Sequence, residues 1–99
     1  MIIAQIKRMI EEDNFQLSNK VDNLREDGTF SEDDIVQSIL NANRIHKRER
    51  DELGKSVDGY KYTIIGRDTH GNPFYTAGKV LQDYLGNYYF VITAHQADS

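Results

Sequence analysis

The residues best suited to chemistry in this chain are histidines and cationic side chains of its second half. Histidine is the usual proton-transfer group near neutral pH, and arginine can bind two phosphate oxygens at once. The candidates for proton transfer or charge stabilisation are Arg67, His95 and His46. Further cations that could bind a phosphate or a partner are Arg48, Arg50, Lys61 and Lys79. Groups of these types can transfer protons and can stabilise or bind an anionic group.

Each candidate also has an ordinary structural explanation. His70 lies in a Gly-Asn turn, His46 in a basic edge segment and His95 at the end of a strand, and all three positions are typical of solvated side chains. Four tyrosines could stack on bases, namely Tyr75, Tyr84, Tyr88 and Tyr89. A fold without tryptophan also needs their apolar area in its core. Arg67 is the most suggestive charge, because the rest of its segment is suited to burial.

Metal and cofactor sites are not predicted. The chain has no cysteine, and its three histidines are scattered without the spacing of a ligand set. Asp33 and Asp34 are better explained as helix-capping residues than as metal ligands. The glycines of segment 66–71 connect two strands, which indicates a hairpin rather than a phosphate-binding loop. We therefore expect neither a metal nor a cofactor.

The length of 99 residues indicates one small domain over residues 1–99. No apolar run is long enough for a membrane span or a signal peptide, so we predict a cytoplasmic protein with no membrane partner.

The net charge of −4 is unevenly distributed, since residues 1–43 carry nine acidic and four basic side chains. Residues 44–99 carry seven acidic and eight basic side chains, which is compatible with an anionic or acidic ligand in that half. Ordinary solubilising charge on helix surfaces explains the same distribution.

Apolar residues at helical spacing predict three helices in the first half. The first covers residues 2–12. The second is capped by Asn14 or Ser18 and ends at Asp27-Gly28. Its apolar side is Leu17, Val21 and Leu24. The third begins at Ser31, where three acidic residues follow in the pattern of a capping box.

Alternating apolar and β-branched residues predict four strands in the second half. They cover Arg44–Arg50, Tyr60–Arg67, Phe74–Leu81 and Tyr88–His95. The short turns between the last three require an antiparallel meander. The segment Arg44–Arg50 could instead be an extension of the loop that precedes it. Helices in the first half and strands in the second half predict an α+β fold, with the helices on one face of an antiparallel sheet.

The two-residue period of strands predicts which side chains share a face. Lys61 and Arg67 point to the same side of their strand, and strict alternation groups Tyr89 with Thr93 and His95 on the last strand. If the helices cover the more apolar faces, four polar side chains remain on an open face: Lys61, Arg67, Thr93 and His95. Arg48 or Arg50 is expected to join them.

Several short motifs, taken in order, resemble a known family. They are the segments 17–21 (LSNKV), 30–35 (FSEDDI), 62–67 (YTIIGR), 71–74 (GNPF) and 91–94 (VITA). In this order and spacing they resemble the small bacterial and cyanobacterial family called domain of unknown function 4258. The resemblance covers roughly residues 15–96, which leaves residues 1–14 as an N-terminal helical extension.

The resemblance implies a fold related to RelE-like and barnase-like toxins, several of which are metal-independent ribonucleases of toxin–antitoxin systems. It implies two or three helices against a four-stranded antiparallel sheet, with RNA or a protein partner on the concave face. The histidine of the family pattern falls on Lys20 in this chain. An ordinary lysine is protonated at neutral pH, so Lys20 is suited to holding a phosphate and not to accepting a proton.

Two functions follow as hypotheses. The first is a binding module of toxin-like fold, without the full catalytic apparatus, which recognises a protein partner such as an antitoxin through a basic sheet face. The second is a metal-independent endoribonuclease that uses Arg67, His95 and the Arg44–Arg50 segment. The acidic net charge and Lys20 favour the first, and the basic sheet favours the second. The oligomeric state stays open.

Overall fold

The computed structural model describes residues 2–97. Along the chain the elements are α1 (Ile2–Glu11), β1 (Phe15–Leu17), α2 (Asn19–Glu26), α3 (Glu32–Leu40), β2 (Lys47–Arg50), β3 (Tyr60–Arg67), β4 (Pro73–Asp83) and β5 (Gly86–Gln96). The protein is therefore α+β, as predicted. Within the described residues, no helix combines the length and the hydropathy needed to cross a membrane.

The helices begin at the caps that the sequence indicates. The Ser18 hydroxyl accepts the backbone N–H of Val21, and this bond caps α2. Ser31 and Asp34 form a complete capping box at the start of α3, in which each side chain accepts the backbone N–H of the other residue. These bonds satisfy amides that have no partner inside a helix.

The sheet has five strands in the order β1-β5-β4-β3-β2. β2 to β5 form the predicted antiparallel arrangement, but β1 pairs with β5 in parallel. The prediction of a four-stranded antiparallel sheet is therefore wrong. β1 was missed because three residues are too few to show a period, and because Leu17 fits the helical spacing of Val21. Ser18 links β1 to α2: its backbone N–H donates to the Val91 carbonyl and its hydroxyl to the Ile92 carbonyl, both at 2.9 Å, and it is the N-cap of the helix.

The three helices lie on one face of the sheet, which we call the covered face. Its buried core combines apolar side chains of the helices with those of the central strands: Ile6, Ile10, Val21, Ile35, Ile39, Ile64, Phe74, Tyr89 and Val91. Phe30, which follows α2, packs edge-to-face on Phe74 with ring centroids 5.5 Å apart. Burial of these side chains is the main stabilising contribution, at about 25 cal/mol per Å² of apolar surface.

Helix α3 approaches β3 most closely at Gly66. A Cβ atom at this position would overlap the carbonyl oxygen of Ser38 and would lie 2.6 Å from its carbonyl carbon. Nearby, the Asn41 side chain accepts the backbone N–H of Arg67 and donates to its carbonyl, both at 2.9 Å. The absence of a side chain at Gly66 therefore allows the helix to lie directly on the strand.

A β-bulge interrupts the alternation of β5. Ala77 pairs with Thr93 and Gly78 pairs with Val91, so Ile92 is the extra residue without a partner on β4. Because the bulge adds one residue, Ala94 lies on the covered face with Val91 and is buried. The strict alternation predicted for β5 is therefore wrong across Ile92. Tyr89 lies in the core, whereas Thr93 and His95 lie on the opposite face.

The loop of residues 51–59, here called the wrapping loop, runs around the end of β3. Asp51 and the carbonyl of Gly54 bind Lys79 on one face of the sheet. Further along, the backbone N–H of Val57 donates to the Val80 carbonyl at 2.8 Å. Asp58 then accepts a hydrogen bond from the Tyr62 hydroxyl on the covered face. The loop thus holds both faces of the sheet at this end.

Candidate functional site

The sheet face opposite the helices, here called the open face, carries most of the predicted site residues. Its side chains are those of Lys61, Thr63, Ile65, Arg67, Tyr75, Ala77, Lys79, Leu81, Tyr88, Phe90, Thr93 and His95, with Lys47 and Glu49 on β2. Most of them are partly exposed, including Tyr75, Tyr88 and Phe90. Aromatic, aliphatic and cationic side chains therefore share one surface.

The structure brings Lys61, Arg67, Thr93 and His95 to the open face, as the sequence predicted. It does not bring Arg48 and Arg50 there. The register of β2 aligns Arg48 with Tyr62 and Arg50 with Tyr60, and both tyrosines lie on the covered side. The Arg48 guanidinium stacks on the Tyr60 ring, 4.4 Å from its centroid. Strand alternation thus excludes both arginines from the predicted surface.

Lys79 lies on the open face but is not available to a ligand. Its ammonium group contacts both carboxylate oxygens of Asp51, at 3.1 and 3.3 Å. Only 10% of the Lys79 side chain and 1% of the Asp51 side chain are exposed. Burial opposes the ionisation of Asp51, but hydrogen bonds from Lys79 and the Ser56 N–H outweigh it and lower the pKa of Asp51. Lys79 is thus occupied by a partner within the chain, and the pair anchors the wrapping loop.

Two further predicted residues lie outside the strands of the open face. Lys20 is exposed in the first turn of α2, on the side of the sheet that the helices occupy. His46 is exposed just before β2, where its backbone N–H donates to the Thr63 carbonyl, and it borders a small cavity with Ile65. Lys20 is therefore separated from Arg67 and His95 by the sheet, whereas His46 lies at the edge of the open face.

Arg67 and His95 lie at the same end of the open face, two strands apart. The Arg67 guanidinium donates to the Gly71 carbonyl at 2.9 Å, and within the described chain it forms no ion pair. The His95 ring stacks on the Tyr75 ring with centroids 4.4 Å apart, and its Nδ1 lies 2.9 Å from the Gln96 carbonyl oxygen. The Arg67 guanidinium and the His95 ring are thus each already held by contacts within the protein.

The spacing of the cations favours an extended contact. Lys61 and Arg67 lie six residues apart on β3, which is roughly 20 Å at the rise of a strand. Ile65, Tyr75 and His95 are register partners on three neighbouring strands, so His95 lies about 10 Å across the sheet from β3. Lys61 and Arg67 are therefore too far apart to bind one phosphate together.

A second cluster lies where the β3–β4 hairpin meets the start of α3. Asp34, Asp68 and His70 each offer a donor atom there, and these three atoms lie within 4.8 Å of one another. Both carboxylates are buried, with 7% and 6% of the residue exposed, whereas His70 is exposed. This cluster was not predicted, because Asp34 fits a helix cap and His70 fits a solvated turn residue. These residues come together only because the β3–β4 hairpin packs against the start of α3.

Hydrogen bonds to the backbone fix the two carboxylates of the cluster. Asp34 accepts the N–H and the hydroxyl of Thr69 at 3.0 and 2.6 Å, in addition to the Ser31 N–H at 3.0 Å. Asp68 accepts the N–H groups of His70 and Asn72 through Oδ1, both at 2.9 Å. Burial opposes the ionisation of Asp34, but the bonds from Ser31 and Thr69 outweigh it and lower its pKa to about 2.

Asp34→Asn is expected to flatten the acid dependence of stability. Asp34 has a folded pKa of about 2, below the unfolded value of about 3.9, so its stabilisation is complete above about pH 4 and is lost as the pH falls towards 2. The variant should lose about 1–2 kcal/mol of unfolding free energy at pH 7, typical of a lost cap, and a smaller amount near pH 2. Urea unfolding at several pH values with a chelator present measures this change. Asp33→Asn, an exposed neighbour, is the control, and an equal response in both variants would contradict the prediction.

Comparisons with protein-family models, with curated proteins and with solved structures find no match to this chain.

Proposed function

We propose that this chain is a non-catalytic binding module that recognises an acidic segment of a protein partner across the open face. The observation that supports it most is the combination of partly exposed Tyr75, Tyr88 and Phe90 with the cations Lys61 and Arg67 on one uncovered surface. Aromatic side chains give contact area at low entropic cost, and flanking cations select acidic ligands. The resemblance to a toxin-like fold agrees with an antitoxin-like partner.

The charge around Lys61 favours a protein ligand over RNA. Glu49 is the register partner of Lys61 and forms an ion pair with Lys47 at 3.5 Å. Asp51 is also near, because the positive charge of Lys61 helps to lower the pKa of Asp51. Such alternation of charge would repel a continuous phosphate backbone at that end, whereas a peptide with spaced acidic residues can match it. The aromatic centre of the face supplies the apolar contact that peptide segments use.

The catalytic alternative lacks an assembled centre. An endoribonuclease needs a base, an acid and a phosphate-binding group around one phosphate. Lys20 lies on the side of the sheet that the helices occupy, Lys79 is paired with Asp51, and the His95 ring is stacked on Tyr75. RNA cleavage is therefore the second outcome to test and not the proposed function.

Affinity capture from cells that produce the protein tests the proposal, with the wild type compared with a Lys61→Glu/Arg67→Glu double variant. We expect the double variant to lose the partner, because two cations of the surface become acidic. Arg50→Glu is the matched control, since Arg50 is an exposed arginine on the opposite side of the sheet and should leave capture unchanged. Capture that is equal in all three proteins would refute the role of the open face. Cleavage of a mixed RNA by the wild type, abolished by His95→Ala, would replace the proposal with the nuclease.

A further inference from the structure

We propose that Asp34, Asp68 and His70 form a binding site for a divalent transition-metal cation, with Zn²⁺ as the ion that fits best. The donor set consists of two carboxylates and one imidazole, from two segments of the chain that meet at the β3–β4 hairpin. Three protein ligands with an open fourth position are the usual set of an accessible zinc site. This site is separate from the open face and does not depend on the proposed binding function.

The charges of the two carboxylates favour a cation as the ligand of this cluster. Asp34 and Asp68 are both more than nine-tenths buried, and in the described part of the chain neither forms an ion pair with a lysine or an arginine. Hydrogen bonds stabilise each carboxylate separately, but two negative charges side by side still repel each other. A divalent cation bound between them would remove that repulsion.

A ligand can reach the three donor atoms. They border a surface cavity of about 510 Å³ whose other walls include Arg25, Phe30 and Gln96. Both hydrogen bonds of Asp68 are accepted by Oδ1, and Oδ2 accepts none from the described residues. Arg25 also borders this cavity, but it is paired with Asp22 at 2.7 Å and so does not neutralise the negative charge of the cluster. Asp68 therefore presents a carboxylate oxygen that a cation can bind.

The present spacing suits an ion after a small adjustment. Ligand atoms of a tetrahedral zinc site lie roughly 3.3 Å apart for bonds of about 2.0 Å. The donor atoms here lie within 4.8 Å, and His70, exposed in a turn, can move inward. The backbone bonds to Asp34 and Asp68 act as the outer contacts that orient metal ligands. Mixed imidazole and carboxylate ligands favour Zn²⁺ or Mn²⁺ over Mg²⁺ and Ca²⁺.

Calorimetric titration of the chelator-treated full chain with ZnCl₂, MnCl₂ and MgCl₂ tests the site. We expect one Zn²⁺ per chain, weaker Mn²⁺ binding and little response to Mg²⁺, with amide resonances of residues 68–71 shifting on addition of Zn²⁺. His70→Ala should weaken Zn²⁺ binding by tenfold or more, and so should Asp68→Asn. His46→Ala, another exposed histidine outside the cluster, should bind like the wild type.

Three results would overturn the site. They are no heat and no resonance shift at millimolar Zn²⁺, an affinity unchanged in both His70→Ala and Asp68→Asn, or equal responses to Mg²⁺ and Zn²⁺. If Asp68→Asn does not fold, His70→Ala decides alone, because an exposed turn residue contributes little to stability.

Discussion

Replacing Gly66 by alanine is expected to lower the free energy of unfolding by about 3 kcal/mol or more. The added methyl group would overlap the Ser38 carbonyl of α3, and backbone atoms cannot move aside as a side chain can. The helix would have to leave the sheet, which would also break the two bonds between Asn41 and Arg67. Urea unfolding followed by circular dichroism measures the loss.

Gly28→Ala is the control for this substitution. Gly28 has φ +82°, which disfavours alanine, but a Cβ atom there would meet nothing within 4 Å. Its cost should therefore be about 1 kcal/mol, from conformation alone. A Gly66→Ala protein as stable as Gly28→Ala would show that α3 does not touch β3 at this point. Failure of only the Gly66→Ala chain to accumulate in folded form would agree with the prediction.

Lys79→Met is expected to destabilise the protein by about 3–5 kcal/mol at neutral pH, because it leaves the buried Asp51 carboxylate without its counter-charge. The Asp51→Leu/Lys79→Met double variant should recover much of this loss, since no charge then stays buried. Denaturant unfolding of the wild type, Lys79→Met, Asp51→Leu and the double variant forms a double-mutant cycle. Lys47→Met is the matched control: its ion pair with Glu49 is exposed and should contribute less than about 1 kcal/mol.

The cost of Lys79→Met should depend on pH. The pKa of Asp51 in the folded wild type is lowered from its ordinary value, so the stabilisation from its ionised form is present above about pH 4 and is lost as the pH falls below it. The difference in stability between wild type and Lys79→Met should therefore shrink in acid. A difference that stays constant down to pH 2.5 would mean that Lys79 contributes through packing and not through charge.

Local signals in the sequence predicted the elements that depend on local contacts. Ser18 and Ser31 cap helices because their hydroxyls accept amides three residues later, and this relation is visible in the sequence. The antiparallel meander β3–β4–β5 followed from short turns. The open-face positions of Lys61 and Arg67 followed from the period of one uninterrupted strand.

Features that depend on the register between distant strands could not be predicted from the sequence. The short parallel strand Phe15–Leu17 is defined only by its partner β5, and the bulge at Ile92 changes which residues share a face. The exclusion of Arg48 required the β2–β3 register, and the pairing of Lys79 required the path of the wrapping loop. The acidic cluster with His70 needed the docking of a hairpin on a helix. None of these relations has a local sequence signal.

The parallel pairing of β1 with β5 has a consequence for how the chain is made. The hydrogen bond between Ser18 and Ile92 joins residues 74 positions apart, so it closes a loop of most of the chain. During synthesis, residues 15–17 have no strand to join until residues 86–96 have been added, and the early helices must wait with part of their apolar surface exposed. Such late, distant closure slows folding and lengthens exposure to aggregation.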